Sequence, residues 1–248
     1  MRALFSMLII SLVSLFALPL VLAGPPFVTD DPEPVEYRHW ELYLAAEWEF
    51  NKDEKTGTAP HVEVNYGLIP NVQIHLIAPM MYVKEEDEPS HYGYGDTEIG
   101  FKYRFLQETD SIPQAGIFPL LVIPTGDRSS ALGNGRAQAF IPLWLQKGWG
   151  PWKTYGGGGY WINPGEGNKN WWLIGWLLQR DISEKFTLGG EVFHSTPDTE
   201  EGESSTGFNV GGIVNFNEVH HLLISAGRDF SGPNEFSFYL AYQLTFGN

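Results

Sequence analysis

The chain has 248 residues, with 30 acidic and 15 basic side chains, a formal net charge of −15 and no cysteine. The lack of cysteine excludes disulfides and thiolate metal sites, and the acidic balance argues against nucleic-acid binding, which requires basic patches. Aromatic residues make up 15% of the chain, which also contains 28 glycines. This composition is typical of membrane β-barrels with aromatic girdles and tight turns.

The first residues have the pattern of a secretory signal peptide. Arg2 precedes a long apolar run that ends in Val21-Leu22-Ala23, with small residues where a signal peptidase cleaves. We therefore predict that residues 1–23 are a signal peptide; an N-terminal membrane anchor is the alternative. No later segment approaches the roughly 18 consecutive apolar residues of a membrane helix.

Apolar and polar side chains alternate in segment after segment of residues 40–248. In TEIGFKYRF, for example, Ile99 and Phe101 lie on one face and Lys102 and Arg104 on the other. A period of two residues is the pattern of β-strands, and about 12 segments of the chain show it. The sequence therefore predicts an all-β fold.

The gaps between these segments alternate in length. The first gap, NKDEKTGTAP, is long and polar, and the second, GLIPN, is short. Outer-membrane barrels have long extracellular loops and short periplasmic turns, and an even strand number places both termini in the periplasm. We predict a single antiparallel up-and-down transmembrane β-barrel over residues 40–248, located in the outer membrane of a Gram-negative bacterium.

The face that meets lipid follows from the closure of such a sheet. Backbone polar groups in lipid must be paired, so the sheet closes on itself and its outer face is apolar. Aromatic side chains are then expected at the two rims of the barrel. The predicted periplasmic rim contains Trp40, Tyr66, Phe105 and Phe246, and the other rim contains Trp48, Phe50, Tyr82, Trp172 and Phe236.

Ionisable side chains on the polar face are then candidates to line the lumen. They are Glu41, Glu47, Glu49, Glu63, His75, Asp96, Glu98, Lys102, Arg104 and Glu191. An acidic lumen would favour cations. The alternative is that these charges pair across neighbouring strands and stiffen a narrow barrel, because inward charges need partners whatever the function.

Residues 24–39 contain TDDPEPVE, which is too rich in proline to form a strand. This segment either folds into the lumen as a small plug or stays in the periplasm. Asp30, Asp31 and Glu33 are the candidate plug residues. They lack the regular spacing of a calcium-binding loop, so no metal is predicted, and no other cofactor is predicted.

Several stretches in order resemble one known group of proteins. They are PPFVTDDPEPVEYRHWE, YGLIPN, GYGDTEIGFKYRF, PTGD, PLWLQKGWG, YGGGGYWIN, LQRDIS and GGEVFHSTPDT. Over nearly all of residues 24–248 the chain resembles the proteobacterial outer-membrane transporter-like family named for the MetA-pathway of phenol degradation. The resemblance implies an outer-membrane β-barrel with a transport role and carries no catalytic residues. We infer no phenol substrate from the family name.

Three functions are compatible with these observations. The first is a channel or transporter for small solutes, including hydrophobic or aromatic ones. The second is a structural or surface-recognition barrel, and the third is a lipid hydrolase that uses His194 with Ser195, or His220 and His221 with Ser225; no G-x-S-x-G motif supports the third. The expected partners are outer-membrane lipid and lipopolysaccharide, whereas the solute and the oligomeric state stay open.

Overall fold

The computed structural model describes residues 26–247, so the predicted signal peptide lies outside the described residues. The strands are β1 (His39–Phe50), β2 (Glu54–Ile69), β3 (Val72–Glu85), β4 (His91–Tyr94), β5 (Thr97–Leu106), β6 (Gln114–Ile117), β7 (Leu120–Ile123), β8 (Gln138–Trp149), β9 (Trp152–Ile162), β10 (Trp171–Ser183), β11 (Phe186–Ser195), β12 (Ser205–Asn215), β13 (His220–Ser231) and β14 (Phe236–Gly247). A short 3₁₀ helix covers Arg128–Ser130. Within residues 26–247, no helix is long and apolar enough to cross a membrane.

The strands form one closed antiparallel barrel. Neighbouring strands pair in chain order, and β14 pairs back to β1, with Phe236 opposite Phe50 and Gly247 opposite His39. Both β4 and β5 pair with β3, and both β6 and β7 pair with β5 and β8. β4 and β5 together therefore form one interrupted strand of the wall, and β6 and β7 form another. The result is a twelve-stranded up-and-down barrel, which confirms the predicted fold class.

The outer face of the barrel is apolar and its inner face is polar. In β5, Phe101 is 44% exposed whereas the adjacent Lys102 is 4% exposed. Large exposed apolar side chains recur around the whole circuit, and many buried side chains are polar, including Gln73, Gln146 and Gln243. This is the inverse of a soluble protein and the pattern of a barrel that faces lipid.

Aromatic side chains cluster at both rims of the wall. At the end of the barrel where β1 begins and β14 ends, called the terminal end here, the Trp40 and Tyr66 rings lie 4.3 Å apart. At the other end, Trp48 packs 5.5 Å from Tyr82. A further pair at that end, Phe50 and Phe236, has ring centroids 6.2 Å apart. These pairs follow the two girdles that the alternation predicts.

The connections are longest at the opposite end, called the loop end here. There the loops cover residues 124–137, 163–170 and 196–204, whereas two-residue turns at the terminal end join β2 to β3, β8 to β9 and β10 to β11. The stretch NKDEKTGTAP, predicted to be the first long loop, is an exception. β2 begins at Glu54, so most of this stretch forms strand and extends the wall. Its alternating small and polar side chains allow the β1–β2 hairpin to continue past the aromatic rim.

Apolar side chains fill part of the barrel interior. Phe118, Phe140 and Trp144 form one buried cluster on the β6–β9 side. Two glycines of β9 make room for this cluster, because an added Cβ at Gly159 would lie 2.5 Å from the Phe140 ring, and one at Gly157 would overlap β8. The interior is therefore too crowded for a wide aqueous pore.

A second buried cluster fills the interior near the closure of the barrel. It contains Tyr43, Ala45, Ile213, Leu223 and Ala241. These residues belong to β1, β12, β13 and β14. The open volume of the lumen must therefore lie beside this cluster and the one on β6–β9.

Candidate functional site

The N-terminal segment, defined here as residues 26–38, runs through the barrel lumen. At the terminal end, the Arg38 amide donates to the Gly67 carbonyl at 2.8 Å. Deeper along the segment, the Val35 amide donates to the Gln73 side chain at 2.8 Å. At its other end, the Pro26 carbonyl accepts a hydrogen bond from Ser225. The segment thus runs from β2 and β3 to β13. On the way it passes along the side of the barrel that is formed by β5–β11.

Basic side chains of the wall bind the acidic residues of this segment. Lys102 Nζ lies 2.9 Å from Asp30 Oδ1 and 3.6 Å from Asp31 Oδ1. Arg104 lies 3.7 Å from one Glu33 carboxylate oxygen. Lys153 lies 3.6 Å from the other Glu33 oxygen. Because a buried lysine without a counter-charge is strongly unfavourable, the wall and the segment depend on each other.

Glu191 holds the segment through its backbone. Its two carboxylate oxygens accept hydrogen bonds from the amides of Val28 at 2.9 Å and Thr29 at 2.8 Å. Asn209 donates a third hydrogen bond to the same carboxylate at 2.6 Å. Hydrogen bonds to an ionised acceptor are about twice as strong as neutral ones. Glu191 therefore acts as an anchor rather than as a free lumen charge.

Glycines in the wall lie directly beneath the N-terminal segment. An added Cβ at Gly175 would overlap the Thr29 hydroxyl, and one at Gly67 would overlap the Glu36 carbonyl. A Cβ at Gly116 would lie 3.0 Å from Pro32, and one at Gly189 would lie 3.1 Å from the Phe27 ring, which are also tight contacts. Only a glycine allows such close approach between a strand and a second chain segment. The wall is shaped to receive residues 26–38.

Two carboxyl groups of the segment have shifted pKa values. Burial raises the pKa of Asp31 to about 6, although the nearby Lys102 ammonium opposes the shift. Burial also acts to raise the pKa of Glu33, but Lys153, Gln146 and Arg104 outweigh it and hold that pKa below its ordinary value. Glu33 is therefore firmly ionised at neutral pH, whereas Asp31 takes up a proton in mildly acidic solution.

A cavity of about 740 Å³ lies beside the segment inside the barrel. It is lined at the loop end by Asp198 and Glu203 and at the terminal end by Pro34 and Glu36. Among the described residues that line it, Lys102 is the one lysine or arginine. The wall carboxylates that line it are Glu41, Glu47, Glu49, Glu63, Glu98, Asp229 and Glu235.

A smaller cavity, of about 360 Å³, lies near the terminal end. Glu33 lines both cavities, and Arg104 and Lys153 line the smaller one. Arg104 also donates to Asn71 and Gln114 there. The N-terminal segment therefore stands between an acidic cavity and a smaller one that contains basic side chains.

Some of the candidate lumen residues pair with one another. His75 Nε2 lies 3.0 Å from Glu98 Oε1, and its Nδ1 lies 3.6 Å from Glu63 Oε1. Glu41 accepts a hydrogen bond from the Tyr43 hydroxyl at 2.8 Å. Other lumen carboxylates are not paired in this way. Glu47 and Glu49 line the cavity and form none of the ion pairs found within residues 26–247.

Asp96 lines neither of the two cavities and instead binds a loop. It lies between β4 and β5, and its carboxylate accepts hydrogen bonds from the amides of Gly126 at 2.8 Å and Asn134 at 2.7 Å. These contacts hold the loop of residues 124–137. The wall strand is interrupted at Gly95 and Asp96, which frees the Asp96 side chain to bind the loop.

Five acidic residues that line the cavity were not among the sequence candidates: Glu36, Asp198, Glu203, Asp229 and Glu235. Asp229 and Glu235 line the cavity at the loop end of β13 and β14. The alternation of β13 would have identified Asp229, which shares a face with His221, Leu223 and Ser225. Glu235 lies in the β13–β14 connection, where no alternation exists to indicate its direction.

The side chains considered for lipid hydrolysis have other partners. His194 pairs with Thr206 at 2.9 Å. His220 pairs with the Tyr242 hydroxyl at 2.6 Å, His221 with Asn215 at 2.7 Å, and Ser225 with the Pro26 carbonyl. A hydrolase needs its serine within hydrogen-bonding distance of a histidine. These contacts give the hydrolase hypothesis no support.

Comparison with known proteins addresses the fold rather than the solute. No family model and no curated protein matches the chain, so the resemblance to the MetA-pathway family is not confirmed at that level. The fold is similar to an outer membrane channel from Pseudomonas putida F1, with a TM-score of 0.72 and 16% identity over 87% of this chain and 98% of that one.

Two further solved structures are similar at lower scores. The KdgM porin in complex with disordered oligogalacturonate has a TM-score of 0.58 and 7% identity over 83% of this chain and 99% of the porin. The translocator domain of autotransporter NalP from Neisseria meningitidis has a TM-score of 0.57 and 10% identity, covering 85% of this chain and 90% of that domain. At such identities the likeness establishes the fold, which is that of outer-membrane β-barrels.

Proposed function

We propose that the protein is an outer-membrane channel of a Gram-negative bacterium for small solutes, with a preference for cations over anions. One observation carries this proposal. The acidic cavity is lined by residues from the loops at one end to Pro34–Glu36 at the other, so it follows the length of the lumen. The likeness to solved outer-membrane channels and the resemblance to a transporter-like family both support it.

The route past the N-terminal segment follows the β1–β2 side of the barrel. The wall contacts of the segment described above lie on β2 and β3 near the terminal end and then on β5 through β13. Glu47, Glu63 and Glu41 lie in succession along β1 and β2 and line the cavity. Carboxylates along a narrow path concentrate cations and repel anions.

The partners proposed for the outer surface follow from its chemistry. The apolar band between the two aromatic rims suits outer-membrane lipid. The loop end carries acidic stretches such as PDTEEGE, which suit divalent cations that bridge to lipopolysaccharide phosphates. Reconstitution with and without lipopolysaccharide, followed by thermal unfolding, tests the second contact.

Neutralising the path should weaken the cation preference. In planar bilayers we expect the potassium-to-chloride permeability ratio to exceed one and to fall about two- to fivefold in Glu47→Gln, because a unit charge acts on an ion several Å away with roughly 0.5–1 kcal/mol in water. Glu63→Gln should behave in the same way. Glu184→Gln makes the same change in an exposed turn outside the lumen and should leave the ratio unchanged. An anion-selective wild-type channel would contradict the proposal.

A further inference from the structure

We propose that the 740 Å³ cavity binds small organic cations that carry an apolar, preferably aromatic, group, such as an arylalkylammonium ion. This inference deepens the channel function proposed above and rests on it, because it names the class of solute that the lumen would select. It is carried by two walls of opposite chemistry, by an unpartnered buried histidine, and by an ammonium group that the lumen already holds.

One wall of the cavity is acidic. It is formed by β13, β14, β1 and β2, which are consecutive around the circuit. Its strands carry Glu47, Glu49, Glu63 and Asp229, and Glu235 adds a carboxylate from the β13–β14 connection. A solute beside this wall gains from a positive charge and loses from a negative one.

The opposite wall is apolar and aromatic. Phe118, Leu120, Leu173 and Phe193 line the cavity from the β6–β7 junction, β10 and β11, which lie across the circuit from β1. Behind them pack Phe140, Trp144 and Trp161. Such a surface favours apolar and aromatic groups, and its ring faces attract cations.

His61 is one of the residues that line the cavity, and it has one buried, unpartnered ring nitrogen. The residue is 4% exposed, and its Nδ1 is paired with Thr58 Oγ1 at 2.8 Å. The other ring nitrogen, Nε2, is buried and has no hydrogen-bond partner. In the tautomer whose Nδ1 donates to Thr58, Nε2 carries a free lone pair that accepts an N–H. An ammonium group supplies such a donor, and a carboxylate does not.

The lumen already holds an alkylammonium in this kind of setting. Lys102 Nζ lies 4.9 Å from the centre of the Phe118 ring and 2.9 Å from Asp30 Oδ1. Across the cavity, Glu47 and Glu49 form no ion pair with any basic side chain of residues 26–247. The volume of the cavity lies within the roughly 300–1,000 Å³ of ordinary small-molecule sites.

The test uses the full-length folded protein and four small probes. These are phenethylammonium, 2-phenylethanol, phenylacetate and ethylammonium, which separate the charge from the ring. Binding is measured in detergent by tryptophan fluorescence, because Trp171 lines the cavity, and in planar bilayers by reduction of the potassium current. We expect phenethylammonium to bind at least about tenfold more tightly than each of the other three probes, since it makes favourable contacts with both walls.

Variants separate the two walls. Phe193→Ala should weaken phenethylammonium binding about two- to fivefold, as expected for loss of one contact between aromatic rings, and leave ethylammonium, which has no ring, unchanged. Glu47→Gln should weaken both cations and leave 2-phenylethanol unchanged. Phe208→Ala removes a ring from the outward face of β12 and should change none of these affinities.

Distinct outcomes separate this inference from the channel function. Equal affinity for 2-phenylethanol and phenethylammonium would overturn it, because the charge would then play no part in binding. Equal affinity for ethylammonium and phenethylammonium would also overturn it, because the apolar wall would then play no part. A conducting channel that binds no probe would refute the solute class and leave the channel. A silent barrel that binds phenethylammonium selectively would support the site and refute the channel.

Discussion

Deletion of residues 26–36 should raise the single-channel conductance of the barrel several-fold. This part of the N-terminal segment lies across the lumen and binds the wall through Lys102, Glu191 and Gln73. Its removal joins the two cavities and leaves a wider path. The measurement is conductance in planar bilayers, with heat-modifiable migration on gels to confirm that the shortened barrel is folded.

A point variant should reproduce the effect without shortening the chain. Gly175→Leu places a side chain where the Thr29 hydroxyl lies, so the segment should be displaced and the conductance should rise. Gly190→Leu makes the same change on the neighbouring strand, where an added Cβ would meet nothing closer than 3.6 Å, and should leave the conductance unchanged. If the wild-type barrel and both altered forms are silent, a structural or surface-recognition barrel explains the protein better than a channel.

The alternating pattern predicts the wall because closure of the sheet leaves few choices. Once Phe101 faces lipid, Lys102 must face the lumen, and β14 must return to β1 because an open edge is not tolerated in lipid. Local interruptions limit the same reasoning. Phe118 and Pro119 separate β6 from β7, and Gly95 and Asp96 separate β4 from β5, and the alternation does not predict where these breaks fall.

The partners of the N-terminal segment could not be predicted from the sequence. Val28 and Glu191 are 163 residues apart, and TDDPEPVE has no periodic pattern that indicates which side chains contact the wall. The alternating pattern predicts only that Lys102 faces inward, as several other charged side chains do. In the folded chain it forms ion pairs with both Asp30 and Asp31, so its loss would leave two carboxylates without their partner.

The largest effect on stability is expected from a charge placed on the lipid face. Phe101→Arg puts a guanidinium near the middle of β5, on the apolar outer surface, and should lower the free energy of unfolding by about 2–4 kcal/mol. Urea titration of the barrel in phospholipid vesicles measures the change. The cost arises because lipid offers the charge neither water nor a counter-ion.

A matched variant places the same charge in the lumen. Ser195 lines the acidic cavity, as do Asp198 and Glu203 in the loop that follows it, so Ser195→Arg gains water and counter-charges and should change the stability by less than about 1 kcal/mol. Phe101→Leu keeps the outer face apolar and should also have little effect. If Ser195→Arg destabilised the barrel more than Phe101→Arg, the assignment of the two faces of the wall would be inverted. The acidic cavity and the channel proposed from it would then have no basis.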